Sequence, residues 1–128
     1  MTSVCDIIRR QELAQLPSDS TIREVARYMI EHGVGSVLVM DDGVLRGIFT
    51  ERDALRIFVA ARRNPDYTRI ADVMTGAPQT LSPEATPQDA AKRMAAGKFR
   101  HLPVVDSDGR VLGVVSQRDL IAAGVATS

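Results

Sequence analysis

Two short stretches carry the residue types from which chemistry could be built, and they repeat one another. Gly47-Ile48-Phe49-Thr50-Glu51-Arg52-Asp53 sets a hydroxyl, a cation and a carboxylate side by side, and Gly113-Val114-Val115-Ser116-Gln117-Arg118-Asp119 does so again. In each, an apolar run ends at the hydroxyl residue and an apolar segment resumes after the Asp (Ala54, Leu55, Phe58, Val59; then Leu120, Ile121). That order reads as a strand passing into a helix through a hydroxyl N-cap. A helix start directly after a strand offers unpaired amides and a positive dipole end to an anion, and a short Asp beside it can accept the hydroxyls of a diol such as a ribose. The competing reading is a capping box, in which the hydroxyl accepts from the third helical amide and the acid reaches back to the cap amide. Thr21-Ile22-Arg23-Glu24 and Thr86-Pro87-Gln88-Asp89 show the same hydroxyl-x-x-acid spacing, so the spacing alone separates nothing. Its duplication together with the glycine is what favours a ligand.

Other chemistries find less support. Hydrolysis of a nucleotide by Asp53 or Asp119 with His101 would want clustered carboxylates around a metal, or a phosphate-cradling loop. The sequence has neither a Walker loop nor a paired His/Asp ligand spacing. No catalytic or metal-binding residue is therefore assigned. His32 reads as a residue at a helix C-terminus that complements the dipole. The single thiol, Cys5, has no partner for an internal disulfide or a metal cluster, and reads as a small hydrophobe in a first helix of a protein from a reducing compartment.

Composition narrows the partners. Lys plus Arg and Asp plus Glu both number 16, so no net field draws the chain to nucleic acid or anionic lipid. Aromatic residues are 4%, with no Trp, which argues against a base-stacking platform. No apolar run reaches the roughly 18 residues of a membrane span, and the N-terminus lacks a basic region followed by an apolar one. A soluble, cytoplasmic protein without general nucleic-acid binding or membrane association is expected.

The elements that must position the two stretches are also duplicated. Ile22, Val25, Ala26, Met29 and Ile30 fall at helical spacing after Thr21 and before Gly33. Ser36 to Met40 and Val44 to Phe49 read as strands joined by a tight Asp41-Asp42-Gly43 turn, and Thr50 opens a helix to about Arg62. Slid by roughly 65 residues, Thr21 falls on Thr86, Met29 on Met94, Val39 on Val104, Gly47 on Gly113 and Asp53 on Asp119, with one extra residue in the Asp106-Ser107-Asp108-Gly109 turn. The lead-ins match as well, Val4-Cys5-Asp6-Ile7-Ile8 against Ile70-Ala71-Asp72-Val73-Met74, as do Leu16 and Leu81. Between the copies, residues 60–68 lose the apolar period and contain Pro65, so the division is placed there: repeat 1 over 1–65 and repeat 2 over 66–128. The predicted fold is α+β, two β-α-β-β-α repeats packed sheet to sheet as one module, because halves of roughly 60 residues bury too little surface alone.

Two repeats of this length, each ending in glycine, an apolar pair, Thr or Ser, two variable residues and Asp, with Arg100-His101-Leu102-Pro103-Val104-Val105-Asp106 ahead of the second, resemble a tandem pair of cystathionine-beta-synthase-type (CBS) domains, or Bateman module. The resemblance covers nearly the whole chain. It implies a stand-alone regulatory module that binds an adenosyl ligand (AMP, ADP, ATP, NAD or S-adenosylmethionine) in clefts between the repeats and signals by conformational or assembly change. It also implies a homodimer and, with no effector domain in the sequence, an unidentified effector protein as partner.

Carried over by position, the resemblance gives Asp53 and Asp119 ribose hydroxyls, Thr50 and Ser116 ribose or phosphate, and Arg100 and His101 phosphate. Ser36 matches His101 in repeat 1. Arg52, Arg118, Val37 and Pro103 complete the implied set, with the backbone near Leu16, Thr80 and Leu81 at the adenine edge. A solvated strand-end charge for Arg100, and a packed or capping role for His101, stand as alternatives. Repeat 1 departs from the pattern, having Gly35-Ser36-Val37-Leu38 where repeat 2 has Arg100-His101-Leu102-Pro103, so phosphate is expected at repeat 2. The remaining alternatives are a structural dimerisation module with vestigial sites, or a small nucleotide-hydrolysing enzyme.

Overall fold

The computed structural model describes residues 2–125. In chain order these form α1 (Val4–Ile8), β1 (Gln15–Leu16), α2 (Ile22–His32), β2 (Ser36–Asp41), β3 (Val44–Thr50), α3 (Glu51–Ala54), a π-helical segment (Leu55–Ala60), α4 (Ile70–Val73), β4 (Thr75–Gly76), α5 (Pro87–Gly97), β5 (His101–Val105), β6 (Val111–Ser116) and α6 (Gln117–Ala122). The architecture is mixed α+β, with the same unit built twice.

The unit Ala14–Pro78 is a four-stranded sheet in the order β1-β2-β3-β4. β1 runs parallel to β2, reached through α2, and β2, β3 and β4 are antiparallel neighbours. Thr21 caps α2 and Gly33, at φ 62°, ends it in the left-handed conformation that glycine tolerates. The apolar stripe turns Ile22, Val25 and Met29 into a core with Val37, Val39, Phe49, Ile57 and Ile70. The β2–β3 turn has both central residues left-handed, Asp42 at 50° and Gly43 at 77°, the geometry whose twist matches a two-residue hairpin.

The second unit joins the chain up to Leu13 to the chain from Gln79 onward. β5 and β6 pair antiparallel, Leu81 bridges Val104 in parallel, and α5 supplies Ala90 and Met94 to a core with Val4, Ile8, Leu102, Val115 and Leu120. Both hairpins carry an irregularity at the same place, between Val39 and Met40 and between Val104 and Val105.

Compact units and sequence repeats therefore do not coincide, because each unit takes its lead-in from the other repeat. α1 docks on the loop before α5, where the Val4 amide donates to the Ala85 carbonyl at 2.9 Å. α4 docks on the loop before α2, where the Ile70 amide donates to the Ser20 carbonyl at 2.8 Å. The exchange explains the glycine in each motif. A Cβ on Gly47 would lie 2.6 Å from both Met74 Sδ and the Thr75 carbonyl oxygen, and one on Gly113 would lie 2.8 Å from Gln11 Oε1 and 2.9 Å from Ile8 Cδ1.

Two local expectations change. The helix opened by Thr50 is regular only to Ala54; the wider π turn then buries Ile57 but leaves Leu55 and Val59 exposed, and the segment ends at Ala60 instead of near Arg62. Its end is closed by long-range turns, with the Ala61 amide donating to Arg56 O and the Arg63 amide to Ile57 O, each at 3.1 Å. The helix after Ser116 ends at Ala122. Cys5 does lie in a first helix, yet it is exposed, because Val4 and Ile8 occupy the buried face. His32 behaves as its position predicts: in the last turn of α2, its Nδ1 lies 2.9 Å from the Tyr28 carbonyl oxygen and its ring stacks on Tyr28.

Candidate functional site

The strand-to-helix elbow of the Ala14–Pro78 unit is organised by Thr50. Its extended backbone ends β3, its Oγ1 accepts from the Asp53 amide at 3.3 Å, and its own amide donates to Asp53 Oδ2 at 2.9 Å. The Thr50 hydroxyl adds a bond to the same oxygen at 3.0 Å. Register places Ser36 directly across from Thr50, and the Gly35 carbonyl accepts the Glu51 amide at 3.0 Å. The Glu51 carboxylate lies over Gly35, within 3.3 Å of where a Cβ there would stand. Asp53 is 6% exposed, and its Oδ1 accepts from Arg56 Nη2 at 3.0 Å. Arg52 is exposed.

The elbow of the other unit has the same frame with different surroundings. Ser116 Oγ accepts from the Asp119 amide at 3.1 Å, and the Ser116 amide donates to Asp119 Oδ2 at 2.9 Å. His101, half-buried, stands across from Ser116 in the β5–β6 register, and the Arg100 carbonyl accepts the Gln117 amide at 2.8 Å. So the chain brings Arg100 and His101 to the same end of the hairpin as Ser116 and Asp119. Where the first elbow has Gly35, Ser36 and Glu51, the second has Arg100, His101 and Gln117, replacing an acidic and neutral edge by a cationic and neutral one. Asp119 is only half-buried, and Arg118 is exposed.

The remaining expected site residues sit deeper. Val37 and Pro103 are buried in their sheets, opposite Phe49 and Val114. Leu81 is buried and bonded through its backbone, its amide to the Pro103 carbonyl at 2.8 Å and its carbonyl from the Val105 amide at 2.9 Å. The Thr80 carbonyl accepts from Arg93 Nη1 at 2.7 Å, and Leu16 pairs with Val39 in β1. These residues hold the scaffold, and their backbone groups named here are paired within the protein.

Capping boxes form at Ser3, Thr21 and Thr86 as well as at the two elbows, five hydroxyl-x-x-acid sites among the described residues. At Thr86 the backbone amide, then the hydroxyl, holds the Asp89 carboxyl below the usual carboxylate range. The box is thus a helix-start device, and only what surrounds it distinguishes the elbows. Sequence reasoning missed three such surroundings. Glu51 and Arg56 were visible by sliding the repeats, where they face Gln117 and Ala122. Gln11 was not: its side-chain amide imitates a strand along β6, Nε2 donating to the Val114 carbonyl at 2.9 Å and Oε1 accepting the Val114 amide at 2.7 Å. Among the described residues, no cluster of three or more His, Cys, Asp or Glu could hold a metal, and no helix is long and apolar enough to cross a membrane.

Comparison with known proteins matches this arrangement. The CBS domain profile fits the chain twice, over residues 4–60 and 70–126. The CBS domain-containing protein YhcV of Bacillus subtilis is 36% identical over 121 residues, covering 94% of this chain and 84% of that protein. Other relatives are longer, the chain spanning 61% of one and 22% of another. Among solved structures, a CBS-domain protein from Agrobacterium tumefaciens superposes with a TM-score of 0.89 at 31% identity, over 97% of this chain and all (100%) of that one. A CBS domain protein from Pyrobaculum aerophilum, complexed with AMP, superposes with a TM-score of 0.84 at 28% identity, over 92% and 89% of the two chains.

Proposed function

Since the chain belongs to the CBS-domain family, as a tandem pair, we propose that it is a regulatory module that binds an adenine nucleotide, AMP foremost, and transmits occupancy to a partner. The observation that carries this reading is the second elbow, where Arg100 and His101 share a hairpin end with Ser116 and the half-buried Asp119. A carboxylate suited to a ribose diol beside two potential phosphate donors is the polarity pattern of a nucleoside monophosphate, and charge-assisted bonds to phosphate are the stronger ones. AMP in the Pyrobaculum relative supports the ligand class. In the reading, Asp119 takes ribose, Ser116 ribose or phosphate, and Arg100 and His101 phosphate. Thr50, Asp53 and Ser36 form a second, weaker position.

The module acts without catalysis, in the cytoplasm, and as a homodimer. Leu55 and Val59 on the π-helical segment and Ile121 on α6 are exposed apolar side chains, and such surplus is what an interface uses. The regulated effector is another protein. A second reading, a structural module whose elbows bind nothing, is favoured by the presence of the same capping box at Thr21 and Thr86, where no ligand is called for.

Thermal unfolding with AMP, ADP, ATP, NAD or S-adenosylmethionine separates the two. A ligand at 100 times its Kd adds about 2.7 kcal/mol, worth several degrees in a chain of this size. A rise with AMP is the expected result; unchanged melting across all five leaves the structural reading.

A further inference from the structure

The two elbow carboxylates differ in how much of their capacity is left for a ligand. An ionised carboxylate offers roughly four acceptor positions. In Asp53 three are taken, by the Thr50 amide at 2.9 Å, the Thr50 hydroxyl at 3.0 Å and Arg56 Nη2 at 3.0 Å. In Asp119 the one bond from the described residues is that of the Ser116 amide, at 2.9 Å. A vicinal diol presents two hydroxyl hydrogens to a carboxylate. Asp119 can accept both as it stands, whereas Asp53 has room for one. Of the two further bonds on Asp53 one comes from its own cap hydroxyl and the other from Arg56, and the position matching Arg56 in the second repeat is Ala122, whose methyl can pair with nothing, so Arg56 decides whether a diol finds room.

We propose that Arg56 is a latch on the first elbow, a specificity-determining residue that occupies Asp53 Oδ1 and discriminates against ligands that need two acceptor positions on the carboxylate. This rests on the reading of the elbows as nucleotide sites. With the latch closed, the first elbow accepts a single hydroxyl. A full ribose contact requires the guanidinium to leave. Arg56 is 63% exposed on its side chain while Asp53 is 9% exposed on its own, so the cation can swing into water but the carboxylate cannot follow. An ion pair with one exposed partner is modest, so the latch sets a few-fold preference and the order of filling, second elbow before first.

The test isolates the first elbow with Asp119→Ala and compares AMP with 2′-deoxy-AMP by calorimetry, with and without Arg56→Met, which keeps the stem and removes the cation. Release of the latch should raise AMP affinity by about fivefold and leave 2′-deoxy-AMP nearly unchanged, so the ratio between the two rises; a merely structural role would move both ligands together. The converse variant, Ala122→Arg in the otherwise native chain, places a latch on the second elbow at an exposed position and should lower AMP affinity there by a similar factor. It also keeps the proposal falsifiable if Arg56→Met folds poorly. An unchanged AMP to 2′-deoxy-AMP ratio, with tight binding to the native chain intact, overturns the latch and spares the nucleotide reading. Failure of the native chain to bind AMP at all overturns that reading, and the latch falls with it.

Discussion

The first elbow and the second are built on one frame and differ in what their carboxylates are asked to do. Both close a capping box, both follow a hairpin with an irregularity at the same place, and both carry a glycine where the exchanged lead-in approaches. Asp53 is buried and held on both oxygens, beneath an edge of Gly35, Ser36 and Glu51. Asp119 is half-buried and, among the described residues, held on one oxygen, beside Arg100 and His101. The box is therefore the fold's way of starting a helix, and in the proposed reading ligand capacity depends on acceptor positions left over and on the charge of the neighbouring strand end.

The sharpest way to break the comparison is at the glycines. At Gly47 an added methyl meets the Thr75 carbonyl at 2.6 Å, and backbone in a paired strand cannot yield; at Gly113 it meets the Gln11 amide, held by two bonds to Val114, and the buried Ile8 side chain, which yield at a cost but more readily than backbone. Gly47→Ala should cost about 3 kcal/mol, some 10 °C in Tm, and Gly113→Ala about 1 kcal/mol, measured by thermal and denaturant unfolding. Equal costs would show that the two lead-ins are held alike. A smaller effect sharpens the charge difference. Arg100 is exposed, so a bond from it to phosphate would be partly screened, and Arg100→Ala should reduce the preference for AMP over adenosine by about tenfold at most, with adenosine affinity unchanged. A preference that survives this change assigns the phosphate to other donors.

Most of the frame was legible in the sequence because it is written in local chemistry. Hydroxyl caps, the Asp42-Gly43 turn, the apolar stripe of α2 and the offset between repeats each depend on residues a few positions apart, and each gave the element it predicts. What escaped is non-local or geometric. The exchange of lead-ins could not be read from composition, since Val4–Ile8 and Ile70–Val73 resemble one another and fit either unit. The π turn after Ala54 arises from helix geometry that the periodicity of Leu55, Phe58 and Val59 does not encode. Gln11 completes a sheet edge with a side chain, and its partner lies about a hundred residues away. For the site, the hydroxyls and carboxylates were evident from spacing. Their unequal strand ends were evident too, from Gly35-Ser36 against Arg100-His101, whereas the unequal bonding of the two carboxylates was not, because it depends on where the folded chain puts the Arg56 guanidinium.

The central claim, that nucleotide capacity resides in the second elbow, is tested most directly by calorimetric titration of AMP into the native chain, Asp53→Ala and Asp119→Ala. Loss of the tight phase in Asp119→Ala and its survival in Asp53→Ala is the predicted result. Loss in Asp53→Ala with survival in Asp119→Ala would contradict it.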